Sequence, residues 1–337
     1  MVTKRLLNTL LILITVALAV SCKDFGGKLA KKNVTGKAGE VIVVADKGVW
    51  IGEPGIELRK VLASDYPALP QKEPAYNLVQ IPVSAFSSLF QTHRNIIILQ
   101  IDANEYTEPK IVTKEDIWAA PQTVINISAP SKEAAAKYIA EKKNLLFNTL
   151  GQAERNRIIR NSKRYEEKSL RELVAAEFGG SPYFPSGYSL KKKTNDFIWI
   201  SYETTYTNQG IFIFRIPYKD TSSLTLGPLV EACDEVLKNN VPGMFENSYM
   251  ITSKEFEPEL TWMRYKGLDF AELRGLWEVE NDFMGGPFVD HAFYSKDGRS
   301  IIVVEGFVYA PRYPKRNYLR QVESIIYSWE WAEDFNK

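Results

Sequence analysis

The stretch that decides the fold is PFVDHAFYSKDGRSIIVVEGFVYA, residues 287–310. Two runs rich in valine, isoleucine and aromatic residues flank the tetrapeptide Lys296-Asp297-Gly298-Arg299. Asp-Gly is a strong signal for a two-residue turn, because both central positions of that turn need a positive φ. The stretch therefore predicts a β-hairpin with strands Pro287–Ser295 and Ser300–Ala310.

The register of this hairpin brings two acidic residues together. If Asp-Gly is the whole turn, Asp290 lies directly opposite Glu305. Opposed like charges are unfavourable, and a close pair of carboxylates raises one pKa, as acid–base catalysis requires. We therefore take Asp290 and Glu305 as candidate catalytic residues, or as half of a cation site. Two alternatives remain: Arg264 or Arg274 on a neighbouring strand pairs with both, or a bulge shifts the register by one.

Outward from the hairpin, residues 179–337 are predicted to form an α+β domain with an antiparallel sheet. A second hairpin is expected from Phe197–Tyr206 and Ile211–Pro217, closed by residues 208–210. An amphipathic helix is expected from Arg316 to Asp334, with Leu319, Val322, Ile326 and Trp329 on one stripe. The other predicted elements of this domain are a helix at 226–239 and strands at 248–254, 259–266 and 270–280.

Residues 39–130 are predicted to form a first α+β domain, and residues 131–178 a helical connector. The connector begins at Ser131, a good N-cap residue, and Gly151 is expected to divide or bend it. The predicted order of the first domain is β-α-β-β-β, with elements at Glu40–Ala45, Gly55–Ser64, Tyr76–Ile81, Asn95–Ile101 and Gln122–Ser128. The fold class is therefore α+β, with two sub-domains whose sheets are antiparallel or mixed, joined by a long helical segment.

The connector is dense in basic residues between 154 and 171, including Arg155 and Arg157. One interpretation is a solvated helix face with ion pairs four residues apart. The other is a site for the phosphates of lipid head groups or for an acidic partner.

The amino terminus carries an export signal. Lys4 and Arg5 precede an apolar run, and Leu18-Ala-Val-Ser-Cys22 follows it. A basic start, a short apolar stretch and small residues before a cut site are typical of a signal peptide. A cysteine directly after the small residues resembles a bacterial lipoprotein signal. We expect residues 1–21 to be removed, Cys22 to be lipidated, and residues 22–38 to form a flexible tether.

Charge and cysteine usage exclude several classes of protein. The formal net charge is +1, which does not favour nucleic acid as a partner, and export makes such a partner less plausible still. Once Cys22 is lipidated, Cys233 is the remaining thiol, and its helical pattern predicts a buried, inert residue. Two histidines, His93 and His291, make no metal-binding motif, so we expect no metal and no cofactor.

His93 is a third candidate catalytic residue. It precedes the predicted strand Asn95–Ile101, and residues in loops at strand ends often form functional sites. The alternative is a histidine that caps or hydrogen-bonds locally.

Five short sequence segments together resemble an uncharacterised family of lipoproteins from Bacteroides-type bacteria, which is described as a domain of unknown function. This resemblance implies a location and a length but brings no catalytic residues. Within these segments we take Arg94, Trp118 and Trp277 as candidate ligand-binding residues, although most tryptophans of such strands belong to a core. The final hairpin and helix also resemble the end of PsbP-type α+β folds, which are binding modules. The segments are GEVIVV (39–44), LPQKEP (69–74), THRN (92–95), WAAPQ (118–122) and residues 275–288.

The function that we expect is that of an envelope protein tethered to the membrane through lipid on Cys22. It acts as a non-catalytic binding or assembly module for an envelope protein or glycan. The alternative is a glycan or peptide hydrolase that uses the carboxylate pair, and a third possibility is a structural spacer. Lys23 is not the aspartate that commonly retains lipoproteins in the inner membrane, so we expect the outer membrane, on either its periplasmic or its surface face.

Overall fold

The structure, a computed structural model, describes residues 31–335. The predicted signal peptide 1–21, Cys22 and the first part of the predicted tether lie outside the described residues. The chain has the predicted α+β class, with one large sheet in each half of the described chain and two further sheets of two short strands each.

Runs of β-branched residues build the sheet of the first half. This sheet has the order β3-β2-β4-β7-β5, in which β5 runs antiparallel and the other strands are parallel. The predicted order β-α-β-β-β omitted β5, because this edge strand is largely exposed and charged and has no apolar signature. The elements of this half are β1 (Lys32–Asn33), β2 (Glu40–Val44), α1 (Lys47–Trp50), α2 (Glu53–Leu62), β3 (Asn77–Ile81), α3 (Ser88–Gln91), β4 (Asn95–Ile101), β5 (Lys110–Glu115), β6 (Ala119–Ala120) and β7 (Thr123–Ala129).

The end of the predicted tether contacts the folded part of the chain. The short strand β1 pairs in parallel with β6, and Thr35 forms a β-bridge with His93. Residues 32–35 therefore lie against the amino ends of the parallel strands.

Three helices form the connector: α4 (Lys132–Glu141), α5 (Lys143–Arg164) and α6 (Lys168–Phe178). The Ser131 hydroxyl accepts a hydrogen bond from the backbone N–H of Ala134, so the predicted N-cap is confirmed. The expectation that Gly151 divides the connector is wrong, because α5 continues through it. The breaks lie instead at Lys142 and at residues 165–167.

Long strands that are buried along most of their length build the antiparallel sheet of the second half, whose order is β12-β14-β15-β16-β11-β10-β9 with β13 paired to β14. The β15–β16 hairpin has the predicted register. The hairpin of β10 and β11 turns at residues 204–207 and not at 208–210, because Gly210 is paired with Ser201 inside the ladder. The elements of this half are β8 (Gly180–Ser181), β9 (Ser189–Lys193), β10 (Phe197–Glu203), β11 (Asn208–Pro217), α7 (Leu226–Asn240), β12 (Met250–Thr252), β13 (Glu259–Tyr265), β14 (Leu268–Val279), β15 (Gly285–Tyr294), β16 (Ser300–Tyr309), α8 (Arg316–Ile326) and β17 (Glu330–Trp331).

The last helix, α8, is shorter than predicted. It ends at Ile326, and the Ser328 hydroxyl donates a hydrogen bond of 2.6 Å to the carbonyl oxygen of Ile325. The chain then turns away so that β17 pairs with β8. Trp329 therefore lies beyond the helix and not on its apolar stripe.

Helices cover both faces of the second sheet. The helix α7 packs on one face through Leu229 and Cys233, and α8 packs on the other through Leu319 and Val322. The helix α8 also contacts α5, so it lies between the second sheet and the connector. One continuous core therefore joins the two halves.

Candidate functional site

The hairpin of β15 and β16 places Asp290 opposite Glu305, as predicted. Both side chains lie on the face covered by α7, where Asp290 is 1% exposed and Glu305 is 2% exposed. Burial raises the pKa of Glu305 to about 8, and the charge of Asp234 on α7 adds to that shift. Burial and the neighbouring carboxylates raise the pKa of Asp290 well above its ordinary value. Burial therefore favours the protonated form of both carboxyl groups.

The two arginines considered as partners of this pair lie elsewhere. Arg274 is on the opposite face of the sheet, and Arg264 lies 3.5 Å from Asp269 at an exposed position. Both carboxyl oxygens of Asp290 are buried without a hydrogen-bond partner among residues 31–335. With no bulge in the observed register, both alternatives for this pair are excluded. The pair can hold protons, but burial keeps an external substrate away from it.

His93 is also buried, at 6% exposure. Its Nε2 lies 3.1 Å from Glu40 Oε2, and its Nδ1 lies 3.1 Å from the carbonyl oxygen of Asn95. Gly36 has a φ of 88° and lies against the imidazole ring, where a Cβ would not fit. The contacts of His93 are thus those of a residue that joins β2, β4 and the segment before β2.

The two candidate tryptophans occupy different surroundings. Trp118 is half-buried and packs edge-on against Phe86, with 5.6 Å between ring centroids. Trp277 is buried, donates a hydrogen bond of 3.3 Å from Nε1 to the carbonyl oxygen of Val308, and lines a cavity of about 210 Å³.

A network of paired charges lies on the opposite face of the second sheet, under α8. The Arg274 guanidinium donates to Glu272 and to Glu323, at 2.7 Å each. Burial alone would raise the pKa of Glu272, but the hydrogen bond with His291 and the charge of Arg274 outweigh it and hold that pKa low. Burial lowers the pKa of His291.

Residues from both halves complete this network. Arg155 on α5 lies 3.2 Å from Glu323 Oε1, and the Tyr66 hydroxyl donates to Glu323 Oε2 at 2.7 Å. The Tyr327 hydroxyl donates to Glu272 at 2.7 Å. The network therefore fixes the position of the connector and the first half against the second sheet.

A cavity of about 900 Å³ lies between the two halves, and we call it the central groove. Its walls come from the start of β4, from one face of α5, and from α8 with the neighbouring loops and strands of the second half. Small-molecule sites typically enclose roughly 300–1,000 Å³, so this volume is sufficient for a ligand.

The floor of the central groove is built on Glu154 of α5. Its Oε1 accepts hydrogen bonds from Asn95 Nδ2 at 2.7 Å and from Arg157 at 3.2 Å, and its Oε2 accepts one from Arg94 at 3.3 Å. Arg157 also donates to the carbonyl oxygens of Pro121 and Arg94, at 2.9 and 2.7 Å. Arg157 is therefore held by protein acceptors, whereas Arg94 has a single acceptor in the described part of the chain.

Several polar atoms of the groove are buried without a partner among residues 31–335. They are Nε of Arg94, Nη1 of Arg320 and Oε1 of Gln209. The side chains of Arg320 and Gln209 are only 7% and 4% exposed. A buried polar atom without a partner costs about 1–3 kcal/mol, so a ligand gains affinity if these side chains turn toward it and make the missing hydrogen bonds.

The remaining wall is aromatic and amidic. Tyr188 and Tyr202 lie with ring centroids 5.9 Å apart, and Tyr202 is 38% exposed. Three arginines line the groove against one carboxylate, Glu154, so its charge is positive. The other tyrosines and the amide side chains of the wall are Tyr313, Tyr318, Asn161, Asn317 and Gln321.

Sequence reasoning singled out one residue that lines this groove, Arg94, as a candidate ligand-binding residue. The basic density of α5 did point to Arg157, but it could not separate the buried arginines from the solvated ones. Tyr202 is one of the aromatic residues that the sequence offers for stacking on a sugar ring, but the sequence alone equally allows a core position for it. Arg320 gave no signal, because it reaches the groove only through the packing of distant elements.

Within residues 31–335, no group of three or more histidine, cysteine, aspartate or glutamate side chains is placed to hold a metal ion. No helix in the same range is both long and apolar enough to span a bilayer.

Two family models match the chain, and both describe domains of unknown function. DUF8532 matches residues 34–163, and DUF4837 matches residues 167–328. The boundary between them falls directly after α5. The chain is thus similar to uncharacterised domain families, as predicted, and no curated protein matches it.

Solved structures resemble the chain only distantly. The Saccharomyces cerevisiae Ran-binding protein Mog1p is 12% identical, with 45% of this chain and 90% of that chain covered and a TM-score of 0.32. The human StarD13 lipid transfer and protein localization domain is 10% identical, with 48% and 95% covered and a TM-score of 0.23. A structure from Bacteroides thetaiotaomicron is 10% identical, with 46% of each chain covered and a TM-score of 0.21. Likenesses this distant carry no argument about function.

Proposed function

We propose that this protein is a lipid-anchored lipoprotein of the Bacteroides-type envelope, held in the outer membrane through Cys22, and that it binds its ligand without transforming it. The central groove is the proposed binding site. The observation that carries this proposal is the set of buried, unpartnered polar atoms of Arg94, Gln209 and Arg320 around a cavity of about 900 Å³.

The chemistry of the groove favours an acidic saccharide. The guanidinium of Arg94 can donate to a carboxylate or phosphate, and Oε1 of Gln209 can accept from a hydroxyl group. Tyrosine faces such as that of Tyr202 can pack against the C–H face of a sugar ring. Amide side chains both donate and accept hydrogen bonds, which suits a ligand with many hydroxyl groups.

Calorimetric titration with trigalacturonate and with its methyl ester tests this proposal. We expect the acid to bind at least about tenfold more tightly than the ester, because esterification removes the charge that the arginines recognise. Arg94→Gln and Tyr202→Ala should each weaken binding, whereas Arg94→Lys should retain part of it. Arg299→Gln, at an exposed hairpin turn, is the matched control. Equal affinity for acid and ester, or no binding of either, would refute an acidic saccharide as the ligand.

The anchor is tested separately. Growth with an alkyne-tagged fatty acid should label the wild-type protein and leave Cys22→Ala unlabelled and free of the membrane fraction. Label on the Cys22→Ala variant would contradict the assignment. Separation of the inner and outer membranes, followed by protease treatment of intact cells, then tests the membrane and the face.

The hydrolase alternative rests on Asp290 and Glu305. Their raised pKa values suit an acid catalyst, but both carboxyl groups lie under α7 with almost no exposure. A glycan or peptide would reach them only after α7 had moved away from the sheet. We therefore favour binding over hydrolysis.

A further inference from the structure

A second cavity, apart from the central groove, is lined mainly by apolar side chains, with Asn208 as a polar member of its lining. We call this cavity of about 210 Å³ the apolar pocket. Its lining includes Trp199, Trp277, Met250, Met284 and Phe307. Met side chains adapt their shape to a partner, and Met and aromatic residues are enriched at protein interfaces.

Exposed apolar side chains surround the mouth of the apolar pocket. Met244, itself part of the lining, is 82% exposed, the adjacent Phe245 is 61% exposed, and Phe283, next to Met284, is fully exposed. Single exposed apolar residues are ordinary, but three of them beside one apolar pocket indicate an interaction surface.

Two loops carry these side chains, and hydrogen bonds hold the loops together. Asn281 Nδ2 donates to the carbonyl oxygen of Asn247 at 3.2 Å, and the backbone N–H of Glu280 donates to Tyr249 at 2.9 Å. These hydrogen bonds join the loop that carries Met244 and Phe245 to the loop that carries Phe283, and each loop contributes a methionine to the lining of the pocket.

The charge of the two loops indicates the partner. Residues 242–249 and 280–285 contain Glu246, Glu280 and Asp282 but no lysine or arginine. Glu280 is paired with Lys254 at 2.7 Å, and Lys238 of α7 lies 4.9 Å from the ring of Tyr249. Asp282 accepts a hydrogen bond from the backbone N–H of Phe283 and its Oδ2 is buried, so Glu246 is the exposed acidic side chain of these loops, and the formal charge of these three acidic and two basic side chains is −1. A negative rim attracts a basic partner and repels the anionic head groups of a membrane surface.

We propose that the apolar pocket docks a polypeptide segment in which one bulky apolar side chain is flanked by lysine or arginine. The apolar side chain enters the pocket, and the basic residues lie against Glu246, the exposed acidic side chain of the two loops. This gives the protein a second partner class beside the ligand of the central groove, and it does not depend on that ligand.

Fluorescence anisotropy tests the docking site with two labelled peptides and the full chain carrying Cys22→Ala. One peptide has a central tryptophan between two pairs of lysines, and its match has glutamates in place of the lysines. We expect saturable binding of the basic peptide only. Phe283→Ser and Met244→Ser should each weaken it about tenfold or more, as truncation of an interface hot spot does. Glu246→Gln should weaken it less and reduce its dependence on salt.

Leu89→Ser is the matched control, because Leu89 is 74% exposed but lies in the first half of the chain. Absence of saturable binding, equal binding of the acidic peptide, or an equal loss in Leu89→Ser would overturn the proposal. Sedimentation with phosphatidylglycerol vesicles distinguishes a membrane as the occupant. Vesicle binding that Phe283→Ser abolishes, without binding of the basic peptide, would also overturn it.

Discussion

Asp290 and His291 are neighbours in β15, yet they lie on opposite faces of the same sheet and have opposite surroundings. Under α8, His291 belongs to a network in which Glu272 and Glu323 share the guanidinium of Arg274. Under α7, Asp290 meets Glu305, with Asp234 and Cys233 as its closest ionisable neighbours on the helix.

The difference shows that burial alone does not decide how a carboxyl group titrates. Both faces exclude water from their acidic groups. Where Arg274 is present, the pKa of Glu323 stays below its ordinary value despite burial, and where no cation is present, the pKa of Glu305 rises to about 8. The carboxyl groups under α8 are thus held in their charged form by paired cations, whereas burial under α7 favours the protonated form of Asp290 and Glu305.

Removal of the shared cation should have the largest effect. Arg274→Met leaves Glu272 and Glu323 buried without the cation that they share, while Arg155 stays beside Glu323 and His291 beside Glu272. Breaking a buried pair typically costs about 3–5 kcal/mol, and we expect the lower end of that range here because these partners remain. Urea unfolding measures the loss. Arg264→Met is the matched control, because its pair with Asp269 is exposed and should contribute less than about 1 kcal/mol. Equal losses in the two variants would show that Arg274 does not compensate the buried charge.

The carboxyl groups under α7, Asp290 and Glu305, should make the protein less stable at alkaline pH, and we expect this effect to be of intermediate size. A carboxyl group whose folded pKa is raised binds its proton more tightly in the folded state, so its contribution to stability is lost as pH rises from about 4.5 towards 8. The amide of Glu305→Gln does not titrate. We therefore expect the free energy of unfolding of this variant, relative to that of the wild type, to rise by roughly 1–3 kcal/mol between pH 5 and pH 9. Thermal melts at the two pH values measure this gain. An unchanged pH dependence in Glu305→Gln would contradict it, and Glu333→Gln at the exposed carboxyl end is the control.

How much of this contrast could be predicted from the sequence depends on how far apart along the chain the interacting residues are. The Asp-Gly turn fixes the register locally, so the opposition of Asp290 and Glu305 follows from the sequence alone. The pairing of Arg155 with Glu323 spans 168 positions and depends on how α5 packs against α8. A sequence pattern gives the face of a residue within its own element, but not the element that will cover it.

The same limit applies to the candidate sites. Arg94 could be singled out because it lies at the start of a clear strand, although only the fold brings it to the groove that also contains Tyr202 and Arg320. The strand β5 was missed for a local reason, since its charged and exposed side chains give no apolar alternation. The end of α8 was missed because β17, which follows it, is held by pairing with a strand about 150 positions earlier.

The smallest expected effect is that of Cys233→Ala, which tests whether the thiol or the carboxyl groups under α7 cause the pH dependence of stability. Cys233 lies under α7, and burial raises the pKa of its thiol well above the ordinary value, with the nearby carboxylates adding to the shift. Cys233→Ala should cost about 1 kcal/mol through lost packing, and the cost should be the same at pH 5 and pH 9 because the thiol does not titrate in that range. Urea unfolding at both pH values checks this. If Cys233→Ala instead reduced the loss of stability between pH 5 and pH 9, as Glu305→Gln is expected to do, the pH dependence would come from the thiol and not from Glu305. The contrast between the two faces would then rest on Cys233.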